Sequence, residues 1–494
     1  MNQNITPTGL LGALLLLLCF FSFSPISAQE RGELVADSLY FDYDLDQIDS
    51  LYQTLGLPSV LAPIEYGVKV YRLVYWTPAP KGDSLTLASG LLFLPDGDCL
   101  WPVSSYQHGT NYYGNAPSEL GSEWVLGVPF ATGGYLVSMP DYVGYGATPD
   151  MIGHPYLHAE TEASATIDML RAVRNWCEDE GVGLSDQLFL GGYSQGGHAT
   201  IATQRSMEQD FSEEFSITAS AAGSGPYDLE GTMVNYILTD SSEADAFFIA
   251  FVVMEYQRLY GNLWDNPSEA LVAPYDTILP RFFDPANPIP GPLPDTAIRM
   301  FQPAFVQAVK TDSMHPARVA MRENNLFQWS PQTPTRLSYC DADELVPFQN
   351  SIVARDSFLA RGALDITAIS LDPTLGHETC ALPMIFNTKY WFDGLKDSCV
   401  VDSGEVNQLL AQSAWEVNVY PNPADEFLTI DLHTPSLQAV HVSLLDITGR
   451  VKMETRMAVH DRVKLNVRDL SPGTYWILIR QNENLKRLPV LIVR

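Results

Sequence analysis

Basic residues are scarce in this chain: 28 Lys and Arg stand against 59 Asp and Glu in 494 residues, a formal net charge of −31. So acidic a surface argues against nucleic acid and anionic lipid headgroups as partners. Long apolar runs are also missing. Apart from residues 10–23, no stretch approaches the ~18 consecutive apolar residues of a membrane helix, so no transmembrane segment is expected in the mature chain. The exceptional run is short and is followed by Ser24-Pro25-Ile26-Ser27-Ala28, a small-residue cleavage pattern, so a secretory signal peptide over 1–28 is expected. It lacks a Lys or Arg between Met1 and Gly9, which leaves an uncleaved anchor as the alternative. Cys19 lacks the small neighbours of a lipidation site. Apolar residues as a whole are plentiful, at 46% with 11% aromatic, which supports a large core and excludes wholesale disorder.

Cysteine is sparse. Without Cys19 the exported chain keeps Cys99, Cys177, Cys340, Cys380 and Cys399, an odd number, so at least one thiol stays unpaired. Cys380 with Cys399 or with Cys340 are the pairings to test first. The acidic segment 29–60 spaces Asp42, Asp44, Asp46 and Asp49 somewhat like a calcium loop, but Gln47 stands where the turn glycine belongs and Gln53 where the closing Glu belongs. A solvated helix or loop is the expectation there, and no metal site.

Strand-like runs at 68–75, 85–93, 102–106, 135–138, 187–190 and 217–222 alternate with helical patterns. In the pattern at 160–176, Ala163, Ile167, Leu170 and Val173 recur at helix spacing. Such alternation predicts an α/β fold, a mostly parallel sheet with helices on both faces. From about 227 to 330 it stops, giving way to helical and Pro-rich pieces that read as a helical cap inserted over a site. It then resumes with strand 336–339, helix 351–361, strand 366–371 and helix 384–395. A composition shift over 403–418 reads as a linker, which closes the α/β domain at 29–402. Short strand patterns at 428–432, 440–445, 464–467 and 475–480 then predict a small all-β sandwich over 419–494. That module has 10 Lys and Arg against 8 Asp and Glu, so the acidic excess lies ahead of it.

The chemistry centres on Gly192-Tyr193-Ser194-Gln195-Gly196, with apolar strand before it and a helix pattern after it. A G-x-S-x-G turn between strand and helix exposes a serine hydroxyl on a strained corner where a base can reach it. That base must be an imidazole held by a carboxylate. Six histidines follow Ser194: His198 lies in the elbow helix, His315 in the cap, and His433, His441 and His460 in the β module. Only His377 follows the last strand of the sheet. The loop after strand 336–339 offers three carboxylates, Asp341, Asp343 and Glu344. A tetrahedral oxyanion needs two backbone donors. The N–H of Gln195 is one candidate, and that of Gly109 or Thr110 in Gln107-His108-Gly109-Thr110 is the other. His108 is expected to order that loop, and Asp141 to anchor the segment Pro140-Asp141-Tyr142-Val143-Gly144-Tyr145-Gly146.

With Asp343-Glu344-Leu345-Val346-Pro347 added, these motifs over 60–400 resemble the secretory lipase/esterase branch of the α/β-hydrolases. The resemblance implies Asp343 as the acid, a helical cap after the sixth strand, and ester hydrolysis through an acyl-enzyme without metal or organic cofactor. In the tail, Val419-Tyr420-Pro421-Asn422-Pro423-Ala424, Leu445-Asp446-Ile447-Thr448-Gly449-Arg450 and Leu470-Ser471-Pro472-Gly473-Thr474-Tyr475 resemble the C-terminal sorting domains of the Bacteroidetes type IX secretion system. That implies the type IX machinery as a partner and a secreted or surface location. A carbohydrate-binding sandwich is the alternative for this module, although no exposed aromatic row supports it.

The expected activity is therefore an exported serine hydrolase of small-molecule or lipid esters. A secreted peptidase and a non-catalytic binding protein on the same scaffold are the competing readings. The cap aromatics Phe247, Phe248, Phe251, Tyr256 and Tyr260 could line an acyl pocket, but their helical spacing points to packed core for most of them.

Overall fold

In the computed structural model the alternating strands form one nine-stranded sheet in the order β1-β2-β3-β5-β4-β6-β7-β8-β9. The structure describes residues 29–493 apart from 58–61, 150–151, 241, 284–285, 288–290, 398, 400–415, 434–439, 447–449, 458–461 and 482–483. The expected signal peptide and most of the expected linker lie outside the described residues.

Strands β1 (Leu34–Tyr43), β2 (Val68–Pro78), β3 (Leu85–Pro95) and β5 (Leu136–Pro140) pair antiparallel in that order. The run β5, β4 (Trp101–Gln107), β6 (Leu184–Tyr193), β7 (Ala219–Gly223), β8 (Thr335–Tyr339) and β9 (Ile366–Ser370) is parallel. Both faces are buried, as parallel sheets require. Leu188 and Leu190 join Ile167, Leu170 and Val173 of the helix Ala159–Glu180 on one face. Phe189, between them, packs on the opposite face against Phe392 of the helix His377–Asp393, ring centroids 4.8 Å apart.

Several elements differ from the sequence reading. Residues 34–43 form an edge strand where a loop or helix is expected. It is held by backbone pairing to β2 and is mostly exposed, so it leaves little apolar signal. The following helix, Leu45–Leu55, is capped by Asp44: its carboxylate accepts the Gln47 N–H at 2.8 Å, and the Gln47 side chain returns the bond to the Asp44 N–H at 3.0 Å. The last helix begins at His377, seven residues before the sequence pattern suggests, because Pro383 sits inside it and reads as a breaker. The extra edge strand also means that the cap follows the seventh strand, β7. Its main helices, Ala246–Tyr260, Pro303–Thr311 and Pro316–Glu323, share a separate core built on Phe251, Phe283 and Met300.

Two disulfides close the α/β unit. Cys340 bonds Cys380, one of the two pairings suggested, whereas Cys399 bonds Cys99 across 300 residues, a partner that spacing could not reveal. Cys177 is free and buried.

The tail forms two antiparallel sheets. β10 (Glu416–Tyr420), β11 (Phe427–His433) and β14 (Arg462–Asn466) make one. β12 (Val440–Asp446), β13 (Val451–Met457), β15 (Gly473–Gln481) and β16 (Asn484–Ile492) make the other. β10, β13 and β16 are additional to the strands read from sequence; Lys452, Glu454 and Arg456 hide β13 among charges. Leu428, Ile430, Val442, Ile477, Ile479 and Val490 fill the space between the sheets. On the outer face of β15, Trp476 and Leu478 join the core of the α/β unit, and Trp476 meets Tyr390 edge-on at 4.5 Å. Among the described residues no helix is long and apolar enough to cross a membrane.

If Trp476 and Tyr390 stabilise the chain through each other, a double-mutant cycle of Trp476→Ala and Tyr390→Ala in urea melts returns a coupling of about 0.5–1.5 kcal/mol. Strictly additive losses would show that the two rings do not act together.

Candidate active site

Ser194 sits between β6 and the elbow helix Gln195–Asp210 with φ +59° and ψ −120°, outside the regions an L-residue normally occupies. The turn is tight because it presses against the end of β4. A Cβ on Gly196 would lie 1.9 Å from the Gln107 carbonyl oxygen, and one on Gly192 would lie 2.6 Å from the same atom. Both positions therefore accept only glycine. The Ser194 N–H donates to the Gly223 carbonyl at 2.9 Å, and its own carbonyl accepts from Gly197 and His198, so both backbone groups of Ser194 are engaged.

His377, the first residue of its helix, places Nε2 2.8 Å from Ser194 Oγ. Its Nδ1 lies 2.9 and 2.8 Å from the two Asp343 carboxylate oxygens. A carboxylate at Nδ1 keeps the proton there and leaves Nε2 free to accept from the serine hydroxyl. Asp343 is buried and also accepts the N–H groups of Leu345 and Val346 at 3.1 and 2.8 Å. The other two carboxylates of the loop lie elsewhere: Asp341 takes the Ser370 hydroxyl at 2.8 Å, and Glu344 takes the His377 backbone N–H at 3.0 Å. Tyr193 donates its hydroxyl to the His377 carbonyl at 2.6 Å.

Of the remaining histidines after Ser194, His315 caps a cap helix and His441 faces Glu454 in the tail, while His460 lies outside the described residues. Before Ser194, His108 is fully buried, with Nδ1 2.6 Å from the Gly109 carbonyl and Nε2 3.2 Å from that of Asp141. Asp141 anchors the neighbouring segments: it accepts the Ser118 N–H at 2.8 Å, the Ser89 hydroxyl at 2.5 Å and the Ser118 hydroxyl.

The candidate oxyanion donors separate. Gly109 spends its N–H on the Glu123 carboxylate, at 3.0 and 3.2 Å. The N–H groups of Gln195 and Thr110 have no partner among the described residues, and the Thr110 hydroxyl lies 2.7 Å from that of Tyr156. Among the described residues no group of three or more His, Cys, Asp or Glu side chains could hold a metal ion.

A buried polar network behind the elbow was not legible in the sequence. Glu162 lies 2.6 Å from His198 Nδ1 and accepts the Gln195 side-chain amide at 2.9 Å. His198 Nε2 lies 3.0 Å from the Asn324 carbonyl at the end of the last cap helix. The same Gln195 amide reaches His154 Nε2 at 2.8 Å, and His154 Nδ1 lies 2.8 Å from the Val143 carbonyl. Partners 11 to 126 residues apart, most of them more than 30, give no local pattern. Burial pushes the His154 imidazole down to about 3 and that of His158 to about 4.

In front of Ser194 lies a chamber with about 1080 Å³ of atom-free space, its open mouth included. Ser194 and His377 line it together with apolar cap residues such as Ile237, Phe248, Ile249, Val252 and Val253. Of the aromatics singled out in the sequence, Phe248 and Tyr256 line the chamber. Phe247 and Phe251 belong to the cap core, and Tyr260 accepts from Asn324.

Two outcomes follow from the buried groups. Removing one partner of the Glu162–His198 pair by Glu162→Ala should cost about 3–5 kcal/mol in urea melts, because the other is left uncompensated in the core. The imidazoles of buried His154 and half-buried His158 stay neutral in the fold but protonate in the unfolded chain below about pH 6.5. Stability should therefore fall as pH drops from about 6.5 toward 4, by about 1.4 kcal/mol per unit for each histidine, and His154→Gln should flatten the slope.

Comparison with known proteins agrees with this architecture. Residues 117–265 match the secretory lipase family and residues 418–493 match the secretion system C-terminal sorting domain. A search of curated protein sequences gives no match. Among solved structures, the esterase LipA from Xanthomonas oryzae, described as rice cell wall degrading, is 28% identical. The similarity covers 75% of this chain and 98% of that one, with a TM-score of 0.64. A putative hydrolase from Legionella pneumophila is 25% identical over 73% of this chain and 98% of its own, with a TM-score of 0.67. Candida antarctica lipase A in its closed state, 17% identical over 76% and 86% at a TM-score of 0.54, shares the fold. The sorting domain implies the type IX secretion machinery and a secreted or cell-surface location. The chain is a carboxylic ester hydrolase with the α/β-hydrolase fold, similar over residues 117–265 to the secretory lipase family and over 418–493 to secretion system C-terminal sorting domains.

Proposed function

We propose that this chain hydrolyses esters with an apolar acyl chain through Ser194, His377 and Asp343, by way of an acyl-enzyme. The observation that carries the reading is the continuous hydrogen-bonded line Asp343–His377–Ser194, at 2.8–2.9 Å, opening onto an apolar chamber. Ser194 Oγ attacks the ester carbonyl while His377 Nε2 takes its proton. Asp343 holds the imidazole in the tautomer that can accept and stabilises the imidazolium that forms. The N–H groups of Gln195 and Thr110, left free by the fold, receive the developing oxyanion; Gly109 is not retained for this role, since Glu123 occupies its N–H. The imidazolium then protonates the leaving alcohol. Water, activated by the same imidazole, attacks the acyl-serine and frees the acid. Lining by Phe248, Ile249 and Val252 suits a hydrocarbon acyl chain, which gains by leaving water.

Ser194→Ala should lower kcat on p-nitrophenyl esters by on the order of 10⁴-fold or more while leaving the melting curve intact. A fluorophosphonate should label the parent chain and spare the variant. Retained turnover or unchanged labelling would sink the assignment, and faster cleavage of aminoacyl anilides than of esters would move the reading to a peptidase. Across a series of acyl lengths, Ile249→Trp should fill part of the chamber and shift the preferred ester toward shorter chains. An unchanged length profile would place the acyl chain elsewhere.

A further inference from the structure

The Cys340–Cys380 bond stands in a particular relation to the two residues that face Ser194. Cys340 lies three residues before Asp343, directly after β8, and Cys380 lies three residues after His377, one turn into its helix. The 40-residue separation they span contains the acid loop, β9 and the loop leading to the imidazole, but not the serine. Both cysteines are fully buried in the core on this face of the sheet, with Cα atoms 6.1 Å apart.

Besides the Asp343–His377 pair itself, the noncovalent links between the two loops lie mainly at their roots, where the Ser370 hydroxyl also donates to Asp341 at 2.8 Å. The Leu371 N–H donates to the Tyr339 carbonyl at 2.8 Å, and the Asp341 N–H donates to the Asp372 carbonyl at 3.1 Å. Further out, the His377 N–H reaches the Glu344 carboxylate at 3.0 Å. The Glu344 contact is a single noncovalent one, whereas the disulfide covalently fixes the first turn of the helix to the strand end that launches the acid loop.

We propose that the Cys340–Cys380 disulfide is a positioning element for the hydrolytic reaction: it keeps Asp343 and His377 preassembled as one covalently closed unit that meets Ser194. The inference rests on the triad reading above and adds to it a separate role for a bond that touches no substrate. Its loss loosens the acid–base geometry more than the chamber, because most of the apolar lining belongs to the cap, outside the closed loop, with only Leu345 and Val346 contributed from within it. Proton transfer is steep in distance, and a misplacement of ~1 Å can cost on the order of 10²-fold in rate. The expected signature is therefore a fall in kcat at nearly constant KM.

The experiment compares the full chain with Cys340→Ala/Cys380→Ala and with Cys99→Ala/Cys399→Ala, on one p-nitrophenyl ester, well below the melting temperature of each. The first pair should lose about 10- to 100-fold in kcat with KM within about threefold. The second, which opens the longer cross-link, should keep kcat within about twofold even if it melts earlier. Equal kcat in all three would overturn the positioning role, as would a loss carried by KM. If the first pair does not fold, the native chain is titrated with a phosphine reductant while thiols are located by peptide mapping. Turnover should then fall as the Cys340 and Cys380 thiols appear, before tryptophan fluorescence reports unfolding, and should return on reoxidation. Full activity with that bond open would overturn the proposal. Turnover by the parent and its loss in Ser194→Ala test the triad separately, so failure of the cysteine prediction leaves that reading intact.

Discussion

Backbone meets backbone where the end of β4 passes the turn after β6, and the missing side chains at Gly192 and Gly196 are what permit it. With the Gln107 carbonyl so close, the chain can turn there only by carrying Ser194 into a positive-φ conformation. The same contact lays the segment from Gln107 to Thr110 beside the first turn of the elbow helix. The Ser194 hydroxyl and two unspent N–H groups thus owe their proximity to one steric constraint. The parallel sheet supplies the rest of the geometry, since β6, β8 and β9 all end on the same side and deliver Ser194, Asp343 and His377 to it.

Around that point three of the buried carboxylates, Asp141, Glu162 and Asp343, are held by different sets of donors. Asp141 is surrounded by serine hydroxyls and a backbone N–H, and it fixes neighbouring loops. Glu162 faces an imidazole and an amide, and through His198 it ties the elbow helix to the end of the cap. Asp343 accepts two backbone N–H groups and an imidazole. A charge taken out of water persists only where such partners exist. His377, the partner of Asp343, also lies within hydrogen-bond reach of a serine hydroxyl, at 2.8 Å, a geometry suited to proton transfer. Where the carboxylate's partner is locked between two acceptors, as His198 is, the arrangement serves structure.

Much of this was legible in the chain because it depends on local pattern. The G-x-S-x-G turn between an apolar run and a helix pattern, and the order of Ser194, Asp343 and His377, need no knowledge of distant contacts. The interruption between β7 and β8 showed as a break in alternation. Other features left no trace for physical reasons. β1 is stabilised by ladder hydrogen bonds rather than burial, so no apolar period marks it. Pro383 hid the first turns of the histidine helix, whose interior tolerates it. Gly109 and Thr110 look equivalent as donors until Glu123, fourteen residues away, takes the N–H of one of them.

The sequence by itself determined the fold class, the candidate residues and the destination outside the cell, since periodicity, turn chemistry and short motifs are properties of neighbouring residues. Only the tertiary structure decided which of two adjacent N–H groups stays free beside the serine, which cap aromatics line the chamber and which cysteines bond. Each of those is a choice between chemically similar groups a few residues apart, and the choice is made by packing and hydrogen bonding across tens to hundreds of residues of chain.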